Sequence, residues 1–572
     1  MKNTMLQFDF KTENQTEAIT FKEPIKLITA YKAGDLAVCW NEVEEAIEAG
    51  FYVAGYVTYE VAYSLFDIKA TYDDENMPLL SFGVFNAPSP APVQAYQPYK
   101  VSEWKMTQTK TEYAAHFQQV MEALEAGRTE QVNYTVAFTA EFTGDAYHYY
   151  NTLKNAQQAA YAAYLQMDNK QILSVSPELF FHVKNDTIKV KPMKGTIKRG
   201  QTYEEDIENE KFLRQSEKNK TENKIITNLM KNELKEVAKH DTIHISEAFT
   251  VEKYPTVYQM TSTVEAELAE RVNIVDVLRK LFPCGSISGA PKKETLQLIH
   301  DIETAPRHVY CGAIGYFTPD GEAVFNVPIR TVTIDGETNI ASYGAGGAIT
   351  AQSTMKDEYE EVYTKTKVLS YVEEAFELLE TFGLYDGSYL VLDEHLQRIK
   401  NSANYFGFSY DEQALLDRLD FYKKKYPRGT YRVRLTLAKD GSISTSAKPL
   451  AKTENKQVAF AKTAISSDNR FLYHKTTNRT LYDIHKQANK FDVLLWNEAG
   501  EVTEFTIGNV VLEIDGKLYT PPVSVGLLPG TFREKLLREG SITEKVLYKD
   551  DFTTNRKVWL INSVRQWVEV TF

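Results

Sequence analysis

The sequence predicts an α+β protein of at least two domains, and three observations carry this. The chain has 572 residues, more than a single hydrophobic core organises. Short strand patterns rich in β-branched residues alternate with stretches of helical spacing along its length. Hydrophobic residues make up 43% and charged residues 25%, the proportions of an ordinary globular chain. A formal net charge of -13 argues against a nucleic-acid surface. Cys39, Cys284 and Cys311 form neither a disulfide framework nor metal-ligand spacing, which fits a reducing cytoplasm. Met1-Lys2-Asn3-Thr4 opens no signal-peptide apolar core, and no apolar run is long enough to span a membrane.

Ile25 to Ala30 reads as a strand after Pro24. Val43 to Ala49 reads as a helix closed by Gly50, and Tyr52 to Glu60 as a buried strand. Residues 87–98, rich in Pro and Ala, read as an extended connection. Tyr113 to Ala126 has helical spacing and stops at Gly127, and Gln131 to Phe138 follows as a strand. Asp186 to Val190 reads as a strand after an Asn185-Asp186 turn, and Pro192 and Gly195 interrupt its pairing. Lys194 is thus expected at a strand break, on backbone that can approach a ligand. A lysine stripped of water there is a candidate nucleophile; a solvated turn lysine is the plainer reading.

Ile225, Ile226, Leu229 and Met230 predict an apolar helix stripe, with Glu222 on the same side. A carboxylate facing that way needs a partner or a cation, unless it only favours the helix dipole. Phe282 to Lys292 is a Gly- and Ser-rich loop before a helix starting near Pro291, a junction whose free N–H groups favour anions. Arg330, expected in a strand after the Thr318–Gly321 turn, can fork onto a carboxylate or lie solvated. In Tyr343 to Thr350 the glycines let backbone approach a ligand. Glu358, Glu361 and Lys365 share one helix face, which suits a hard cation such as Mg²⁺ or a plain exposed Glu–Lys pair.

These strings resemble, in order, the motifs of the chorismate-utilising enzymes across about residues 110–370. The segment Pro192-Met193-Lys194-Gly195-Thr196, with Arg199-Gly200, looks most like the aminodeoxychorismate synthase branch, in which a lysine at this point attacks the chorismate ring. Related anthranilate synthases carry a small residue there. Ser176-Pro177-Glu178 resembles the family's Ser-Pro-Glu segment, and Gly285 to Lys292 its Gly-Ser/Thr-x-x-Gly-Ala-Pro-Lys motif. The resemblance implies Mg²⁺ on Glu222, Glu358 and Glu361. It implies substrate contacts from Gln131, Gln259, Ser286, Tyr310, Arg330, Gly346 and Lys365. Gln131 matches the amine-forming branch. Gln259 stands where many relatives carry histidine, so no acid or base role passes to it.

From about residue 371 the chain resembles fold-type IV pyridoxal-phosphate enzymes. Phe376 to Thr381, Leu392 to Ala403, Tyr473 to Arg479, Glu501 to Val510 and Leu527 to Arg533 follow that family's order. The resemblance implies pyridoxal 5'-phosphate held by Lys475, with Glu504 at the ring nitrogen and Arg398 at the phosphate. Ile507, Asn509, Gly530 and Thr531 would complete the cradle, and Thr381 would lie near the substrate. The expectation is therefore a layered antiparallel-sheet chorismate-binding domain at 1–370 and a fold-type IV α+β domain at 371–572.

The activity so implied is amination of chorismate with ammonia, then elimination of pyruvate to give 4-aminobenzoate, hence folate. The rivals are an anthranilate synthase-like component fused to an aminotransferase, and a non-catalytic subunit that docks an amidotransferase. None of the three cysteines sits in a Gly-x-Cys-x-Gly elbow, so a separate glutamine amidotransferase is expected as partner. The second half's family allows a homodimer.

Overall fold

The structure is a computed structural model that describes residues 4–12, 18–69, 77–92, 96–369, 375–454 and 456–572. The chain forms two compact units. One comprises Met1–Lys198 and Glu210–Glu373, the other Arg199–Asn209 and Glu374–Phe572. Residues 93–95 of the expected connection and 370–374 at the expected junction lie outside the described residues.

The first unit holds two ten-stranded sheets among its described residues. One runs Gly289–Ala290, Gln131–Gly144, Ile340–Ile349, Thr331–Asp335, Lys170–Ser176, Tyr161–Met167, Met5–Phe10 and Ile19–Lys22. The other runs Met193–Lys198, Val257–Glu267, Thr187–Val190, Leu179–Lys184, Ala323–Asn326, Ala313–Phe317, Tyr52–Val57, Leu80–Phe85 and Lys26–Ala30. Pairing within both is antiparallel, for example Met193 with Thr261 and Gln131 with Ala290. Ala313–Phe317 and Ala323–Asn326 are buried throughout, as strands covered on both faces must be. Helix Glu217–Leu234 packs on Met193–Lys198 and Val257–Glu267, and helix Met355–Thr366 packs on Ile340–Ile349. The mixed α+β, layered antiparallel expectation holds.

Several boundaries move. The first helix begins at Leu36, because Leu36, Cys39, Trp40 and Val43 already form its buried stripe. The strand expected to reach Glu60 ends at Val57, and Glu60 turns inward to accept hydrogen bonds from the Arg307 N–H (2.7 Å) and the His308 N–H (3.3 Å). The helix carrying Glu222 buries Met230 of the expected stripe and packs Leu229 on the core, but it also buries Asn223, Thr227 and Leu234 and leaves Ile225 66% exposed. Arg330 lies outside a strand, at φ 52° just before Thr331–Asp335.

The second unit has a four-stranded antiparallel sheet of Ser388–Tyr389, Leu378–Tyr385, Thr430–Leu437 and Ile443–Pro449. Helices Leu392–Phe406 and Glu412–Lys425 cover its apolar face through Leu396, Ile399, Leu415 and Leu419. An eight-stranded, mostly antiparallel sheet from Val458 to Val570 completes it. Residues 199–209 belong to this unit. Arg199 pairs with Asp206 (2.5 Å), donates to the Tyr405 carbonyl (2.9 Å) and lies over the Tyr405 ring (4.4 Å). No helix of the described residues is long and apolar enough to cross a membrane.

Candidate active sites

In the first unit Lys194 sits inside a strand rather than beyond one. Met193–Lys198 pairs with Val257–Glu267, but the register slips between Met193 and Thr196, leaving Lys194 and Gly195 in a bulge. Gly195 takes φ 99°, a left-handed value that a side chain resists. Asn223, fully buried, clamps this bulge. Its amide donates to the carbonyls of Lys194 (3.2 Å) and Met260 (3.1 Å), and its oxygen accepts from Ser262 Oγ (2.6 Å). The backbone of the lysine is fixed while its half-buried side chain stays reachable.

Glu178 is the partner that sequence reasoning did not assign. It is 6% exposed, and burial pushes its carboxyl up to about 7 although Ser286 Oγ donates to it (2.6 Å) and the charge of Lys194 pulls the other way. Glu358 is likewise raised by burial and by Glu361, and it too feels Lys194. The bulged lysine thus stands within electrostatic reach of carboxyl groups, one of which, Glu178, gives up its proton only near neutral pH. The Ser-Pro-Glu string was visible, but its facing Lys194 was not, since two strands separate them in sequence.

The Gly285–Lys292 loop docks on the start of Gln131–Gly144. Ala290 accepts from the Glu130 N–H (2.8 Å) and Ser288 from the Asn133 N–H (2.9 Å), which sets Gln131 beside the loop. Gln259 lies across from Thr196, and its Oε1 is buried without a hydrogen-bond partner among the described residues. Tyr310 packs so closely on Gly344 that a Cβ there would stand 2.2 Å from its ring. Arg330 is held by Gln157 (3.1 Å), with Tyr343 and Tyr254 near enough to offset burial, which lowers its pKa. Lys365 bridges Glu361 (2.7 Å) and the Gly346 carbonyl (2.5 Å), so the expected shared helix face exists. A cavity of about 390 Å3 is lined by Tyr310 among others, but not by Lys194.

Carboxylate oxygens on Glu358 and Glu361 are the donors a hard cation takes. Among the described residues, however, no three His, Cys, Asp or Glu side chains stand close enough to hold a metal ion. Glu222 is therefore not gathered into one ligand group with Glu358 and Glu361. Mg²⁺ keeps waters and accepts substrate oxygens, so two protein carboxylates fit it without such a group.

In the second unit the expected residues converge on one cavity of about 310 Å3, lined by Thr381, Arg398, Lys475, Glu504, Asn509 and Thr531 among others. Burial lowers the Lys475 amine to about 8, helped by Arg398 and opposed by Glu380. Glu504, 3% exposed, is raised to about 8 by burial. It nevertheless accepts from Tyr482 Oη (3.0 Å), the Leu528 N–H (3.1 Å) and Asn509 Nδ2 (3.3 Å), three bonds that fix its orientation. Arg398 is gripped in a fork by Glu380 (2.8 and 2.7 Å) and reaches the Pro529 carbonyl (3.1 Å). Burial alone would raise Glu380, but Arg398 and His395 outweigh it and hold it well below the carboxylate range. His395, expected at the surface from its type alone, is fully buried on Glu380 and Ser563.

Gly530 caps helix Thr531–Arg538, and a Cβ there would stand 2.0 Å from Asn509 Oδ1. Gly530 thus packs tightly on Asn509, and the helix N-terminus it precedes, with Arg398 on the Pro529 carbonyl, is a place that favours an anion. A buried amine, a buried acid and an anion cradle in one cavity fit pyridoxal phosphate. Ile507 and Thr381 also line this cavity.

The family model for chorismate binding enzymes matches residues 5–371, and that for amino-transferase class IV matches residues 377–571. Aminodeoxychorismate synthase component 1 of Escherichia coli (strain K12) is 36% identical over 274 residues, 48% of this chain and 60% of that protein. Anthranilate synthase component 1 of Saccharolobus solfataricus is 33% identical over 271 residues, 47% of this chain and 64% of that protein. The chain thus spans about 60% of the length of these curated relatives. The crystal structure of anthranilate synthase component I from Streptococcus pneumoniae TIGR4 aligns with TM-score 0.54 at 21% identity, covering 61% of this chain and 91% of that one. At that identity the likeness is one of fold.

Proposed function

The chain belongs to the chorismate binding enzyme family and carries an amino-transferase class IV domain behind it, and from that premise we propose that it makes 4-aminobenzoate from chorismate in two steps. The observation that carries the reading is Lys194 in its bulge within electrostatic reach of Glu178, whose carboxyl burial raises to about 7, on a chain that separately buries Lys475. A lysine at the first position favours the 4-amino product over anthranilate, and the reactive set speaks against a mere docking subunit.

In the first step Lys194 Nζ bonds to the ring as the bond from C4 to its hydroxyl breaks. Glu178 gives that hydroxyl its proton, so water leaves. Ammonia then bonds to C4, Lys194 departs as the amine, and the surplus proton returns to Glu178. Arg330 and Tyr310 would hold the side-chain carboxylate, with Gln131, Gln259, Ser286 and Gly346 around the ring. Glu358 and Glu361 would hold Mg²⁺, whose charge offsets the ring carboxylate, Glu222 standing outside that pair, and Lys365 keeps Glu361 in place.

Pyridoxal phosphate, when bound, supplies an electron sink conjugated with the substrate amine. Lys475 would hold it, with Glu504 protonating its ring nitrogen and Arg398, Gly530 and Thr531 binding its phosphate. Ile507 and Asn509 would pack around it. Lys475 Nζ would take the proton from C4 as the C3–O bond breaks and the ring becomes aromatic, the departing enolpyruvate taking a proton at carbon to become pyruvate, and Thr381 would lie near the substrate.

The nitrogen would come from a separate glutamine amidotransferase. All three cysteines are buried, and burial raises the thiol pKa of each, the reverse of an activated nucleophile. The same chemistry suits the cytoplasm. The test is chorismate, ammonium, Mg²⁺ and pyridoxal phosphate with the purified chain, products separated by chromatography. 4-Aminobenzoate and pyruvate are expected; anthranilate would overturn the reading. Glutamine as sole nitrogen source should give no product, and efficient use of it would remove the partner.

A further inference from the structure

The mouth of the second cavity carries charge that the cofactor does not use. Strand Thr430–Leu437 buries Val433, Leu435 and Leu437 and turns Arg432 and Arg434 the other way, to the cavity. Among the described residues neither guanidinium has an ion pair or hydrogen bond. Arg434 stands directly across from Thr381 and Arg432 across from Gly383, so both border the expected reaction side. Arg565, which also lines the cavity, is instead tied to the Ala451 carbonyl (3.0 Å) and Thr453 Oγ1 (2.7 Å). Glu504 is the cavity's one acid among the described residues, and its three hydrogen bonds keep it away from this edge.

Two unpaired arginines, two residues apart on one strand face, lie roughly 7 Å apart along the strand. Each presents a fork that matches one carboxylate. A single α-carboxylate, as on a simple amino acid, satisfies one fork and leaves the other. A six-membered ring bearing two carboxylates satisfies both. We propose that Arg432 and Arg434 form a two-carboxylate reader that selects cyclic dicarboxylates, with a carboxylate on the ring and a second on the ring or its side chain, for the second site and disfavours monocarboxylate amino acids. This rests on the reading that the second half acts on the aminated chorismate, a dicarboxylate, and it supplies the specificity that separates a lyase from an aminotransferase on this fold.

The test uses the full chain loaded with pyridoxal phosphate, titrated with isophthalate or benzoate. The change in the bound cofactor's visible absorbance is followed, so binding in the first unit is not read. The expected parent prefers isophthalate by about tenfold or more. Arg434→Gln and Arg432→Gln should each bring the two ligands towards parity by weakening isophthalate alone, and Arg434→Lys should fall between. Retained cofactor absorbance in each variant shows that the cavity is intact. Equal affinity in the parent, an unchanged preference in both Gln variants, or a preference lost only in Arg565→Gln would overturn the reader. A parent that never shows lysine-bound cofactor absorbance would overturn the pyridoxal reading and the reader with it, so the two failures are distinguishable.

Discussion

Both units present a lysine, and the two are prepared in opposite ways. Lys194 is half-buried on a strand bulge, its backbone clamped by Asn223 and its side chain left among carboxyls. Lys475 is enclosed, its amine lowered to about 8, with an orienting network already complete around Glu504 and Arg398. The first arrangement sets the carboxyls of Glu178 and Glu358 against the charge of Lys194, an arrangement that, on the proposed function, a cation and an anionic substrate would complement. The second is wired before any substrate arrives. A lysine that meets a new substrate each turnover needs a fixed backbone and a proton source. A lysine that keeps a resident group needs burial.

The sharpest way to break this contrast is to remove each lysine. Lys194→Ala should lower amination on the order of a thousandfold or more while supplied 4-amino-4-deoxychorismate is still converted. Lys475→Ala should abolish the cofactor's lysine-bound absorbance and let 4-amino-4-deoxychorismate accumulate. Mass spectrometry after incubation with chorismate should find an adduct on Lys194 in the parent; an adduct on another lysine would sink the assignment.

Next in size is Glu178→Gln, which should slow amination by about 10²–10⁴-fold. Its carboxyl is raised to about 7, so it holds the proton below that pH and loses it above. Formation of the Lys194 adduct, which needs no ammonia, should therefore decline as pH rises through about 7 in the parent. In Glu178→Gln that limb should vanish, and pyruvate elimination should show no such limb in either protein. A limb that persists in the variant would assign the proton elsewhere.

A smaller effect is expected at the cation. Glu361→Gln should raise the Mg²⁺ needed for half-maximal amination by about tenfold or more, since a charged ligand is lost. Elimination from supplied 4-amino-4-deoxychorismate should be indifferent to Mg²⁺ and to the substitution. Unchanged Mg²⁺ dependence would make the Glu358–Glu361–Lys365 face a solvated one.

What was legible in the sequence follows the same contrast. Contiguous strings supply most walls of the Lys475 cavity, but not the edge made by Arg432, Arg434 and Arg565, which no string includes. In the first unit the strings located Lys194, Ser286 and Glu361, but not what stands opposite them. Glu178 meets Lys194 only after two strands fold back, and no local pattern announces that. The bulge at Lys194 was read as a strand end, since Pro192 and Gly195 look alike in either case. Arg330 was given to a strand because its flanks are β-branched, whereas its φ of 52° marks a corner. Hydrophobic periodicity holds only in part at the helix carrying Glu222, where Met230 is buried and Leu229 packs on the core but Ile225 is exposed.

That helix offers the last test. Periodicity picks Ile225, Ile226, Leu229 and Met230 as its buried stripe, yet Asn223 and Thr227 are buried along with Met230 and Ile225 is not, and Asn223 is the residue that reaches the Lys194 carbonyl. A polar face is buried here because its work is to hydrogen-bond strand backbone that the bulge has freed, and an apolar face would leave the carbonyls of Lys194 and Met260 unpaired. Asn223→Ala should then cost about 1–3 kcal/mol, from the orphaned carbonyls and the lost Ser262 bond. Ile225→Ser, on a side chain already 66% exposed, should change stability by less than about 0.5 kcal/mol. Urea denaturation of the two variants, followed by circular dichroism, measures both. Thr227→Val adds a third point, since it keeps shape but removes the hydroxyl that donates to the Asn223 carbonyl (2.7 Å). If Ile225→Ser proved the costlier change, the hydrophobic stripe would be the true packing face, and the account of Lys194 as a backbone-clamped lysine would fall with it.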